Sequence, residues 1–276
     1  AAPSWLLTVF FPMLTAMVGY WATLSLNIPD LMRYAKSQKD QAVGQLLGLP
    51  TTMTFYAFVG IVATCASIIA FPEILTPAQA PWDPVALLAH FHQPVLIAIS
   101  LFSLVIATIT TNIAANVVAP ANGISNLAPD KISYKMGGYI TGVIGILMMP
   151  WKLLDNVGAY IFTWLIGYSA LMGGIAGVMV CDYWIIRRTR LNLADLYRPD
   201  GIYPKWRWQA IAAFVIGVIP NVPGFLNAAA TPGGRVANPG IFDTIYAYAW
   251  FVSFFLSLAV YLALMFNERD RNPAPA

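Results

Sequence analysis

Of the 276 residues, 59% are hydrophobic and 10% charged, with a mean hydropathy of +0.67. A water-soluble domain carries roughly 25% charged residues, so this composition excludes a chain whose surface faces water throughout. The net charge of +3 and pI near 8.8 do not mark a nucleic-acid binder, because the basic residues are scattered among short loops with no interleaved aromatic stripe.

Acidic and basic residues are absent from 1–29, 41–72, 84–129, 156–181 and 244–267. A helix needs roughly 20 apolar residues to cross the ~30 Å hydrocarbon layer. Seven spans are expected, at about 5–27, 46–71, 94–121, 136–151, 157–183, 208–226 and 244–266. The fourth is short, and a further helix at 84–91 is expected to lie on the surface. The chain has no initiator methionine and no basic leader, and its first apolar run begins at once, so it reads as part of a longer protein.

In the first span, Gly19-Tyr20-Trp21 lies between Pro12 and Asn27-Ile28-Pro29-Asp30. Glycine and proline weaken helical continuity, and a helix broken here frees backbone groups beside an aromatic shelf. Discontinuous transporter helices bind substrate and ions with such groups. The alternative is a kinked helix with Trp21 packed on a neighbour. Cys65 in the second span and Cys181 in the fifth read as small buried residues, not as a disulfide or metal framework.

The third span carries Ala107-Thr108-Ile109-Thr110-Thr111-Asn112-Ile113-Ala114-Ala115-Asn116 inside an uncharged stretch. Hydroxyls and amides supply the oxygen ligands that a hard cation prefers. Asn112 and Asn116 are four apart and share a helix face. Each carboxamide presents a donor and an acceptor, which suits a planar substrate with N–H beside C=O. Packing between small residues and threonines is the competing explanation.

Gly167-Tyr168-Ser169 and Gly173-Gly174 in the fifth span mark either a flexible helix or close helix packing. Asp182 at its end is expected to pair with Arg187 or Arg188, and His90 and His92 are too isolated to hold a metal. Trp5, Trp82, Trp151, Tyr183, Trp184, Trp206, Trp208 and Tyr246 fit interfacial belts. Alternating the loops places 13 of the 15 basic residues on one side, Arg33, Lys205 and the tail residues Arg269 and Arg271 among them; Lys152 and Arg235 fall on the other. Basic loops stay cytoplasmic, which puts Ala1 outside and Ala276 inside. No serine elbow, paired histidine–carboxylate spacing or phosphate-cradling glycine loop occurs, so an enzyme is not expected.

Three segments, GYWATLSLNIPDLMRYAKSQKDQ from Gly19, ATITTNIAANVVAPANGISNLAP from Ala107 and GYSALMGGIAGVMVCDYWIIRRTRLNLADLYR from Gly167, resemble the nucleobase–cation symporter family. That family transports hydantoins, allantoin, uracil, cytosine and purines. The resemblance implies an all-α integral membrane protein of the leucine-transporter-type fold, in which this chain supplies helices six to twelve. Residues 1–187 would be the second five-helix repeat, 188–207 a cytoplasmic loop, and 208–276 two additional helices with a cytoplasmic tail. The first five helices of the same protein would be its partner, together with the lipid bilayer.

The resemblance further implies that Trp21 stacks on a planar heterocycle, with Tyr20 and the backbone at Gly19 beside it, and that Asn116, near Asn112, hydrogen-bonds the ring. The Ala107 carbonyl and the Thr110 and Thr111 hydroxyls match the family's sodium position. Family members often carry serine at the Thr111 position, and threonine keeps the hydroxyl. Some members couple to protons instead. No other cofactor is implied. An amino-acid permease of the same fold and a non-transporting scaffold or channel subunit are the rival readings.

Overall fold

The computed structural model describes residues 5–72, 83–154, 156–196, 198, 200–204 and 206–268; Trp82, Lys205, Arg269 and Arg271 lie outside them. Every regular element among these residues is helical. In chain order the main helices are α1 (Leu6–Trp21), α2 (Leu24–Met32), α3 (Gln38–Ala70), α4 (Pro84–Leu88), α5 (Pro94–Leu127), α6 (Tyr134–Leu147), α7 (Pro150–Leu154), α8 (Tyr160–Ile186), α9 (Leu193–Leu196), α10 (Trp208–Ala230), α11 (Ile241–Ala247) and α12 (Ala249–Met265). Four of them, α3, α5, α8 and α10, are long and apolar enough to cross a membrane, and the bent pairs α1–α2 and α11–α12 bring the number to six. The expected short span at 136–151 is α6, whose 14 residues rise only about 21 Å.

Local chemistry sets the boundaries. The Ser37 hydroxyl accepts the Asp40 N–H at 3.0 Å and starts α3. The Asp83 carboxylate accepts the Val85 N–H at 3.0 Å and starts α4, with Pro84 in the first turn. Pro94 likewise opens α5, at a position where its missing N–H costs nothing. At the far end of α8, Arg188 (φ 50°) and Thr189 (φ 63°) turn the chain left-handed and stop the helix.

The chain forms two compact units. The first comprises residues 1–27 and 145–276. Its core is α8 packed on α12 and α10, with α1 on another flank of α8. Small residues set these approaches. A methyl group at Gly173 would strike the Trp250 carbonyl, one at Gly177 the Phe254 carbonyl, and one at Gly217 the Ser257 hydroxyl. One apolar cluster joins Ala16, Leu165, Ile166, Ala170, Ala228, Tyr246 and Ala249; another joins Cys181, Ile186, Ala213, Tyr261 and Met265. Asp182 fastens the second cluster. Its carboxylate accepts the Arg187 guanidinium N–H at 2.5 Å and the Tyr261 hydroxyl at 2.7 Å, and the Arg187 cation lies 4.6 Å from the Tyr203 ring centre. The pairing expected for Asp182 is therefore made with Arg187.

The second unit spans residues 28–144 and carries α3 and α5. Asn122 donates to the Asp30 carboxylate at 3.1 Å, and Gly137 meets the Ala121 backbone. Phe71 stacks on His90 at 5.3 Å. Large apolar side chains of this unit are exposed, Phe55 at 70% and Phe102 at 69%, the surface that lipid or further helices cover. Cys181 is buried as expected, whereas Cys65 is exposed, which corrects the sequence reading: in so apolar a helix as α3, hydrophobicity does not tell a packed face from a lipid-facing one.

Gly217→Val adds side-chain volume where the Ser257 hydroxyl already fills the space. Such overpacking costs typically 1–3 kcal/mol, so the melting temperature of the purified protein should fall. An unchanged melting temperature would contradict the close α10–α12 contact.

Candidate functional site

Trp21 is the last residue of α1, and Ala22-Thr23 interrupt the helix before α2 begins. The chain thus breaks next to the Gly19-Tyr20-Trp21 sequence. The Leu26 and Asn27 N–H groups both return to the Thr23 carbonyl, at 3.0 and 3.1 Å, to start the next helix. Trp21 is half-buried, and its indole meets the Tyr20 ring edge-on, 5.3 Å between centres at 85°. Gly19 is buried: a methyl group there would meet the Leu165 carbonyl and the Ser169 side chain of α8. Only glycine allows that approach, and it holds the break against α8.

Asn112 and Asn116 lie on α5, in the second unit. From Ile113 to Val117 the helix widens into a π-turn, with the Val118 N–H returning five residues to the Ile113 carbonyl. Single π-turns inside α-helices are frequent at functional sites. The Asn116 carboxamide donates to the Asn112 carboxamide oxygen at 2.8 Å, and both side chains are exposed. That bond uses one donor and one acceptor. The Asn112 NH2 group and the Asn116 oxygen stay available, so the pair presents a donor beside an acceptor.

One turn earlier, the Thr110 hydroxyl donates to the Ile106 carbonyl at 2.8 Å and lies 3.1 Å from the Ala107 carbonyl oxygen. Two of the three expected cation ligands thus approach each other, and Thr111 follows on the same exposed turn. The oxygen-only donor set suits a hard monovalent cation. Trp21, Tyr20 and Gly19 belong to the first unit, and Ala107, Thr110, Thr111, Asn112 and Asn116 to the second.

The first unit holds polar groups that sequence reasoning missed. Asn221 is 2% exposed, and its NH2 group donates to the Ser253 hydroxyl at 3.0 Å, while its oxygen and the Ser257 hydroxyl have no partner among the described residues. A cavity of about 250 Å³ lies beside it, lined by Trp164, Tyr168, Phe225 and Tyr246 among others. The Tyr246 hydroxyl donates to the Thr163 carbonyl at 2.7 Å. The signal that singled out Asn112 and Asn116, an amide in an apolar run, also marks Asn221 in the run 208–226.

These helices define a multi-pass, all-α membrane protein of the leucine-transporter type. The fold is similar to that of a solved chain described as the inward-facing conformation of Mhp1, with a TM-score of 0.61 and 24% identity over 97% of this chain and 56% of that one. The chain belongs to the family of permeases for cytosine/purines, uracil, thiamine and allantoin, whose model matches residues 1–253. It is 41% identical to the purine-uracil permease NCS1 of Arabidopsis thaliana over 263 residues, 94% of this chain and 42% of that protein. It is 39% identical to the allantoin permease of Bacillus subtilis over 255 residues, 91% and 48% respectively. With the hydantoin permease of Microbacterium maritypicum it shares 30% identity over 220 residues, 73% and 42%. The chain spans about half the length of the curated relatives it matches.

Proposed function

We propose that the complete protein imports a nucleobase-like heterocycle, such as allantoin, hydantoin, uracil or cytosine, by cation-coupled alternating access. The observation that carries this reading is the Asn112–Asn116 carboxamide pair on the widened turn of α5. A ring amide offers N–H beside C=O, the complement of the donor and acceptor that the pair leaves unused. Family membership and the relatives' substrates support the same class. Trp21, at the break after α1, supplies an aromatic face for the ring, flanked by Tyr20 and the backbone at Gly19.

The Ala107 carbonyl and the Thr110 and Thr111 hydroxyls would hold a sodium ion; a coupling proton is the alternative. A bound ion favours one conformation only through its differential affinity for the two, so ligands on α5 would tie ion occupancy to the helix that carries the substrate amides. Residues 1–187 would act as the second five-helix repeat, 188–207 as the cytoplasmic loop, and 208–276 as two additional helices ending in the cytoplasm. With α6 counted as a seventh span, the skew of 13 basic residues to 2 supports that orientation.

Three outcomes follow for the full-length protein. Trp21→Ala removes a stacking contact of about 1–3 kcal/mol and should weaken binding of a radiolabelled heterocycle about 5- to 150-fold; unchanged binding refutes the stacking role. Joint replacement of Thr110 and Thr111 by Ala should abolish sodium stimulation of uptake, and surviving stimulation removes the cation assignment. A green fluorescent protein fused after Ala276 should be fluorescent and shielded from external protease in intact cells. Fusions active only outside would reverse the topology.

A further inference from the structure

We infer that the first unit carries a binding site for a zwitterionic phospholipid with a primary-ammonium head, in a small cavity between α1, α8 and the loop joining α10 to α11. The cavity measures about 170 Å³, below the ~300 Å³ at which drug-sized pockets begin. A space of that size takes a lipid head group and leaves the acyl chains outside. Pro12, Ile166, Ala228 and Ala247 form an apolar wall, while Arg235 and Asp243 bring one positive and one negative charge to the same cavity.

The loop is built to hold Arg235 in place. Gly233 (φ 75°) and Gly234 (φ 73°) take left-handed conformations, and a methyl group at Gly234 would lie 2.6 Å from the Thr163 hydroxyl. The loop is thereby pressed onto the first turns of α8. The Arg235 cation then lies 5.0 Å from the centre of the Phe162 ring, and it has no ion-pair partner among the described residues. A guanidinium with all its donors available matches a phosphate bidentately.

Asp243 is fixed as well, because its oxygens accept the Asn227 NH2 at 2.9 Å and the Gly240 N–H at 2.8 Å. A carboxylate has about four acceptor positions, so it keeps capacity for an ammonium group. A purely anionic head would satisfy Arg235 and be repelled by Asp243; a zwitterion satisfies both. The loop connects two spans, so these charges stand where the chain leaves the apolar layer, at head-group depth.

Native mass spectrometry of the full-length protein titrated with phosphatidylethanolamine or phosphatidylglycerol tests the site. One phosphatidylethanolamine should bind in preference to phosphatidylglycerol. Arg235→Ala should lower its occupancy about tenfold, the loss expected of a single charge-assisted contact, and Asp243→Asn should abolish the preference between the two lipids. Arg235→Gln, which keeps hydrogen bonding and ring contact, serves if the alanine variant does not fold, and should show the same loss. Unchanged phosphatidylethanolamine occupancy in the folded Arg235 variant, or equal binding of the two lipids by the unaltered protein, overturns the inference. None of these outcomes depends on transport.

Discussion

In an apolar layer, a polar group without a partner costs several kcal/mol, and that cost governs where this chain places its hydroxyls and amides. Several hydroxyls in the long helices turn back on their own backbone. Thr52 reaches the Gly48 carbonyl at 2.5 Å, Thr64 the Gly60 carbonyl at 2.8 Å, and Ser67 the Ala63 carbonyl at 2.6 Å. Tyr246 and Tyr261 instead carry their hydroxyls to other elements, to Thr163 and Asp182, and so tie α11 and α12 to α8. Against this background the Asn112–Asn116 pair is distinctive. It makes one internal hydrogen bond and keeps the Asn112 NH2 group and the Asn116 oxygen unused on exposed side chains of α5.

The two units meet the same constraint differently. In the first, glycines bring backbones together, and Gly173, Gly177 and Gly217 each stand where a single methyl group would collide with α12. Such small-residue contacts are how helices associate when lipid is as apolar as leucine. In the second, α3 and α5 keep broad apolar faces exposed. The Gly-Tyr-Ser and Gly-Gly elements of α8 accordingly belong to a closely packed helix, in which Ser169, Gly173 and Gly174 are all buried.

Much of the architecture was legible because charge is excluded from the hydrocarbon layer. The charge-free runs located five of the six long or paired spans, while the structure shows Ser37, Asp83 and Pro94 standing at helix starts. The break after Trp21 was legible from Gly19 and Pro29, and the amide cluster from its position in the middle of an uncharged run. The role of Asn221 is not legible beside its flanking prolines, since an isolated amide does not reveal that Ser253, 32 residues later, lies 3.0 Å away. The exposure of Cys65 is not legible because hydropathy registers depth in the layer and not which neighbour a face meets.

The amino-acid sequence by itself determined which segments enter the membrane, where the helices break, and which hydroxyls and amides travel with them, because these follow from local composition and the cost of unpaired polar groups. Only the tertiary structure decided which glycines are contact points, that Asp182 joins Arg187 to Tyr261, and that Arg235 rests on Phe162 beside a cavity it shares with Asp243. Those facts depend on residues far apart in the chain meeting at a few ångströms, and local sequence patterns carry no record of such meetings.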